Sequence, residues 1–326
     1  MKYDVVALGE LLIDFTGSGL SDRGNLLFEA NPGGAPGNVL AMLSKLGRNT
    51  AFIGKVGNDF FGRGIIDTLG QLGIDTGAIS RDSHTNTTLA FVNNKADGDR
   101  EFTFFRNPGA DTQLDSLDVP YELLQNTSIF HFGSLSLTHE PSRGATRIAV
   151  TAAEEYGALI SFDPNLRPLL WEAPVYAQRQ MEWGCGVCDI LKISDEEAEF
   201  LTDCKDTRLA AERLRLFYPN IRIIFITKGK SGSEGYWGDV YAEQPAFINE
   251  DTIDTTGAGD TFLGCCLSMI LDLDIGKPDA EALNSMLIYA NAAASLITTK
   301  QGALCSMPEK EGIEKLISDA AIVQRV

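Results

Sequence analysis

The 326-residue chain is 44% hydrophobic and 22% charged, which suits one large α/β domain with a small accessory element as well as two equal domains. Forty-five acidic residues stand against 27 basic ones, a formal net charge of -18, so a broad cationic surface for nucleic acid or anionic lipid is excluded while local anion binding by backbone N–H groups is not. The six cysteines include one C-x-x-C, Cys185 and Cys188, with no second pair at zinc-site spacing, and they read as reduced thiols.

At the N-terminus, Met1–Leu12 is interrupted by Asp4 and Glu10 and so is not a signal peptide. No apolar run approaches the ~18 residues of a membrane span, and a cytoplasmic protein is expected. In chain order, Asp4–Leu8 reads as a buried strand, followed by helical spacing over Asn38–Leu46 and Phe60–Leu72. Gly57–Arg63 has glycines at P-loop spacing but no Lys-Ser/Thr after them, so it is read as a turn into the second helix. No G-x-G-x-x-G follows the first strand, which argues against a dinucleotide-dependent dehydrogenase.

The next segment departs from the pattern. Thr87–Asn93 and Arg100–Arg106 form two extended stretches joined through Asp97-Gly98, a turn signal, and Leu26–Ala30 is a further extended candidate. Together they predict a small β-lid, built from about 12–32 and 86–107, on a single domain spanning 1–326. Period 2 puts Phe102, Phe104 and Arg106 on one face. Arg106 then either snorkels to water or meets a polar ligand under the lid.

Further on, Ser128–Phe132, Ala158–Phe162, Asp189–Ile193 and Ile221–Thr227 read as buried strands, with helices over Arg143–Tyr156 and Arg208–Phe217 between them. The alternation predicts a mostly parallel sheet covered by helices on both faces, with the ligand beyond the carboxyl ends of the strands. Asp163, Ser194 and Thr227 stand at such ends. The three histidines, His84, His131 and His139, are too scattered for a metal or triad site.

The chemistry is carried by Asp254-Thr255-Thr256-Gly257-Ala258-Gly259-Asp260-Thr261-Phe262, just before the apolar helical run Leu263–Leu271. Small residues at 257–259 let the backbone approach a ligand, and the first N–H groups of a helix have no intrahelical partner and attract anions. Asp260 in that first turn could simply cap the helix. Beside an anion pocket, however, a carboxylate is what phosphoryl transfer to an alcohol needs: the amides take the developing charge and the Asp takes the hydroxyl proton.

With Gly33-Gly34-Ala35-Pro36-Gly37-Asn38 leading into a helix that ends at Leu46-Gly47, and the 254–260 loop near the other end, the chain resembles the ribokinase-like (PfkB) carbohydrate kinases over essentially its whole length. The resemblance implies an α/β ribokinase-like fold and an ATP-dependent sugar kinase that also uses Mg²⁺ and K⁺. It implies Asp260 as base, with Gly257, Ala258 and Gly259 as anion hole. Asp14, Gly33, Gly34 and Asn38 fall where sugar hydroxyls are held, and Phe104, Arg106, Asn165 and Arg167 complete the acceptor side. Thr227, Gly229 and Gly232 look like the nucleotide loop, Asn291 falls at the adenine pocket, and Lys192 is placed on the nucleotide side. The N-x-x-E motif that organises Mg²⁺ through water is here Ser194-Asp195-Glu196-Glu197, keeping Glu197 and replacing the Asn. Asp254, Thr256, Gly302 and Ser306 fall at the monovalent-cation loop.

Among acceptors, Arg106–Asp111 and Asp163–Arg167 followed by Trp171 resemble the fructokinase branch. Gly133-Ser134-Leu135-Ser136 lacks the Glu that ribokinases place there, which disfavours ribose. The close alternative is 2-keto-3-deoxygluconate kinase, with Arg106 and Arg167 as a bidentate clamp on the substrate carboxylate. A sugar-sensing protein without activity would need a damaged anion hole or a missing base, and Gly257, Gly259 and Asp260 are all present. The open edges of the lid predict a homodimer formed through the lids.

Overall fold

The structure is a computed structural model, and it describes residues 2–94 and 100–323. Nine strands make the main sheet, in the order β13-β12-β11-β10-β9-β8-β1-β4-β5. They are β1 (Tyr3–Leu8), β4 (Thr50–Gly57), β5 (Asp75–Asp82), β8 (Thr127–Gly133), β9 (Leu159–Asp163), β10 (Ile190–Ser194), β11 (Ile223–Thr227), β12 (Ser233–Trp237) and β13 (Val240–Gln244). The seven from β11 to β5 pair in parallel, and β12 and β13 add an antiparallel edge.

The alternation of side chains along each strand explains why the parallel strands read as continuous apolar runs. Val5, Ala7, Ile129, Ile190, Ile223 and Phe225 pack on one face against the helices α1 (Ala35–Lys45), α2 (Phe60–Gln71), α8 (Ala258–Ile270) and α9 (Ala280–Ile297). Val6, Leu8, Phe130, Phe132, Ile160, Phe162, Leu191 and Ile224 pack on the other, where α4 (Ser142–Glu155), α5 (Pro174–Val187), α6 (Asp195–Thr202) and α7 (Thr207–Phe217) lie. The short α3 (Tyr121–Gln125) and the C-terminal α10 (Lys310–Val323) complete the helices.

A second, four-stranded sheet is the expected lid: β3 (Leu26–Gly33), β2 (Leu12–Leu20), β6 (Thr88–Asn94) and β7 (Arg100–Phe105), in the order β3-β2-β6-β7. The Asp97-Gly98 turn signal between β6 and β7 lies outside the described residues, as does the side chain of Phe102. On the inner face, Leu12, Asp14, Thr16, Asn31, Val92 and Phe104 look onto one cavity. On the other face Phe15 stacks on Phe91 at 4.8 Å and meets Phe61 of α2 edge-on at 5.6 Å, so an aromatic cluster ties the lid to the main body.

Arg106 departs from the sequence reading. It lies one residue beyond β7, so the period-2 rule no longer applies to it, and it turns into the body. Its guanidinium donates from Nε to Asp111 at 2.8 Å, and also to Thr138 Oγ1 and the Leu135 carbonyl at 2.9 Å each. Its side chain is 4% exposed, so it neither snorkels nor lines the cavity. Thr88 Oγ1 donates to the same Asp111, and Thr87 is held by Asp59, so both threonines at the root of β6 are anchored to the body.

Candidate active site

A cavity of about 450 Å³ lies between the inner face of the lid and the carboxyl ends of the central strands. Its floor is the start of α8. Gly257 is the N-cap residue with φ 79, and a side chain there would put Cβ 2.6 Å from Ala303 Cβ, so close packing and a left-handed backbone both call for glycine. The first α8 bond runs from Thr261 N–H to the Gly257 carbonyl at 2.8 Å and Ala258 N–H donates to the Thr255 carbonyl at 3.3 Å, which leaves the N–H groups of Gly259 and Asp260 at the positive end of the helix.

Asp260 is buried within that first turn, borders the cavity, and accepts a hydrogen bond from Asn38 Nδ2 at 2.8 Å. Burial pushes its carboxyl up to about 6, with the negative charge of Asp163 adding to the rise and Asn38, Lys192 and Arg167 opposing it. A carboxylate with its charged form made less comfortable, yet ionised near neutral pH, suits proton abstraction from a hydroxyl. Asp14, on the inner face of β2, is likewise raised to about 6 by burial.

The second wall is the turn from β3 into α1. Gly34 has φ 136 and a Cβ there would lie 2.2 Å from the Glu10 carbonyl oxygen, so this position also demands glycine. The turn lines the cavity with Gly33, Gly34, Ala35 and Asn38. Opposite it stand Asn165, at φ 44, and the exposed Arg167, whose NH1 donates to the Leu166 carbonyl at 3.1 Å. Lys192, near the end of β10, pairs with Asp163 at 2.9 Å while facing the cavity beside Gly259. The fields of Asp163, Glu197 and Asp260 together hold its ammonium above the ordinary value against the effect of burial.

The remaining residues singled out in the sequence lie around this cavity. Asp254, Thr256 and Gly302 border it: Asp254 Oδ1 accepts from Thr256 N–H and Oγ1, and its Oδ2 accepts from Gly302 N–H at 3.3 Å. Ser306 closes the same loop by donating to the Gln301 carbonyl. Glu197 caps α6, accepting from Ser194 N–H at 2.9 Å and from Leu166 N–H at 2.6 Å.

Thr227 ends β11 and Gly229 and Gly232 follow it; with Asn291, they do not border the main cavity. Asn291 Nδ2 donates to the carbonyls of Gln244 and Pro245, against which the Gly232 turn packs. Its amide nitrogen therefore braces that turn. Lys228 within the loop is held by Glu234 and Glu243 at 2.7 and 2.6 Å.

Several wall residues are not in the sequence-based set. Thr16 and Asn31 could have been found from Asp14 by period 2 and strand pairing. Glu10 follows the end of β1 as Asp163 ends β9, yet it enters the sequence reading only as an interruption of an apolar run. Burial pushes its carboxyl up to about 7. The thiols of Cys185 and Cys188 are buried, Cys185 pushed up to about 12, and so are unreactive. His131 is buried against Ser161 within the sheet and pushed down to about 3 by burial, which keeps it neutral.

The family model described as pfkB family carbohydrate kinase matches residues 2–310. The chain is 42% identical over 308 residues to "Probable fructokinase-2" of Arabidopsis thaliana, covering 93% of this chain and 92% of that protein. Among solved structures, fructokinase with bound ATP from Xylella fastidiosa superposes with a TM-score of 0.88 at 29% identity, covering 98% of this chain and all of that one. A fructokinase double mutant from Vibrio cholerae O395, in fructose, ADP and potassium ion bound form, gives a TM-score of 0.87 at 29% identity over 97% of this chain and 99% of that one.

Proposed function

Because the chain belongs to the pfkB family of carbohydrate kinases, we propose that it transfers the γ-phosphoryl group of ATP to fructose, giving fructose 6-phosphate, with Asp260 as general base. The observation that carries this reading is the buried Asp260 carboxyl, raised to about 6, in the first turn of α8 where N–H groups point at the same space. The acceptor hydroxyl gives its proton to Asp260 as its oxygen attacks phosphorus, and the bond to the ADP oxygen breaks. The amides of Gly257, Gly259 and Asp260 and the Arg167 guanidinium stabilise the charge that builds on the transferred group. Asn38 holds Asp260 from one side and so fixes the direction from which the hydroxyl approaches.

Asp14, Gly33, Gly34, Asn38, Phe104 and Asn165 bind the sugar under the lid, and MgATP lies along the Thr227–Gly232 side with Asn291 behind it. Lid closure excludes water from the transferring group and limits ATP hydrolysis. Arg106 acts at one remove, by anchoring the root of the lid through Asp111. That anchor also counts against 2-keto-3-deoxygluconate as acceptor, since a clamp on its carboxylate needs two free guanidinium groups and Arg106 has already committed its own.

Among the described residues no group of three or more His, Cys, Asp or Glu gathers to hold a metal. Glu197 has spare lone pairs beyond its two peptide N–H partners and would orient the waters of a bound Mg²⁺, which would supply neutralisation of phosphate charge. The Asp254–Thr256 turn and the 302–306 loop, joined through Asp254 and Gly302, offer carbonyl oxygens suited to K⁺ near the anion hole. For assembly, β3 and β7 are the open edges of the lid, and Leu26 and Phe105 are exposed on them, which favours a homodimer through the lids. Sedimentation would show a concentration-independent monomer if that is wrong. The catalytic reading is tested by coupled assay of ADP release: fructose should stimulate it saturably, and Asp260→Asn should abolish the stimulation.

A further inference from the structure

The carboxyl of Glu10 is 3% exposed and borders the cavity, yet it is only half used. Its Oε1 accepts the N–H of Ala35, the first residue of α1, at 2.8 Å. Its Oε2 is buried with no hydrogen-bond partner. On the same wall, Asn38 donates from Nδ2 to Asp260, while its Oδ1 is also buried and without a partner. The wall therefore presents two unpaired acceptors, one on Glu10, whose other oxygen holds the first residue of α1, and one on Asn38, in the first turn of that helix. Buried acceptors normally find donors, and the Arg106 guanidinium, whose charge is felt at Glu10, is already engaged by Asp111 and Thr138. A ligand that supplies hydroxyl donors matches acceptors of this kind.

We propose that Glu10 is a further acceptor-binding residue: Oε2 accepts a hydroxyl of the sugar while Oε1 fixes the first turn of α1. The inference deepens the kinase reading and rests on it, because it assumes that a polyol fills this cavity. It adds a specificity element that the sugar-binding set Asp14, Gly33, Gly34 and Asn38 lacks. A hydroxyl placed here is required by the site as a donor, so a sugar missing it, or carrying an acceptor in its place, leaves a buried carboxylate oxygen unpaired and is rejected.

The test is Glu10→Gln at pH 8, above the value of about 7 to which burial raises this carboxyl, so that wild-type Glu10 is ionised. The carboxamide oxygen can still accept from Ala35 N–H, but the other atom becomes a donor and cannot accept a sugar hydroxyl. Acceptor affinity is read by calorimetry and by KM, on whichever sugar of a panel the wild-type enzyme phosphorylates. The expected result is a loss of about 10- to 100-fold in acceptor affinity, the range for a hydrogen bond to a charged group, with the KM for ATP nearly unchanged and the unfolding midpoint not lowered, since the variant loses a buried charge. A monodeoxy form of that sugar lacking the partner hydroxyl should lose similarly with wild type and lose little more with the variant, because the two changes remove one interaction. Acceptor affinity within twofold of wild type, or deoxy losses that are the same in both proteins, would overturn the assignment. Wild-type turnover on some sugar other than fructose counts against fructose alone and leaves this comparison intact.

Discussion

Asp260→Asn should have two effects of opposite sign, and their combination is a sharper test than lost activity alone. Turnover should fall by at least ~10²–10⁴-fold, the usual contribution of a positioned general base. Stability should rise. The folded protein raises this carboxyl from 3.8 to about 6, and at ~1.4 kcal/mol per pH unit the ionised, buried group carries a penalty of about 3 kcal/mol. Because the folded value lies above the unfolded one, the folded state binds the proton more tightly. Stability from this group is complete below pH 3.8 and is lost as pH rises through about 6. A carboxamide escapes the loss, and its oxygen can still accept from Asn38. The variant should therefore match wild type near pH 4 and exceed it at pH 8 by up to about 3 kcal/mol. Urea unfolding of the ligand-free proteins at the two pH values measures the difference. A variant less stable than wild type at pH 8, or a difference independent of pH, would refute the account of a desolvated base.

Substitutions at three further positions separate anchoring from chemistry. Arg106→Ala leaves the buried Asp111 without its cation and should cost about 3–5 kcal/mol in urea unfolding, and Arg106→Lys should not restore it, because one ammonium cannot reach Asp111, Thr138 and Leu135 together. Arg167→Ala removes an exposed side chain and should change stability by no more than about 0.5 kcal/mol while lowering kcat by ~10²-fold or more; an unchanged kcat would remove Arg167 from the transferring phosphate. Gly34→Ala forces a Cβ to within 2.2 Å of the Glu10 carbonyl at φ 136, so it should lower the unfolding midpoint and weaken acceptor binding more than ATP binding.

The parallel strands were legible because burial on both faces makes β8, β9, β10 and β11 continuous apolar runs, and each observed strand lies within two residues of its expected limits. β13 was not, since its exposure alternates and its five residues, Val240–Gln244, end in Glu243 and Gln244 and form no continuous apolar run. Asp260 and Gly257 could be read because a helix start announces itself in small residues and a carboxylate before an apolar run. Arg106 was misread because its partner Asp111 is brought round by a turn that only the folded chain defines, and no periodic rule extends past Phe105. Glu10 escaped notice for a similar reason: its second oxygen matters only because α1 returns to the end of β1.

ATP turnover by the purified protein with Mg²⁺ and K⁺, compared across fructose, 2-keto-3-deoxygluconate and ribose, tests the central claim most directly. Saturable ADP release dependent on fructose is the predicted result, and release supported by the keto acid but not by fructose would contradict it.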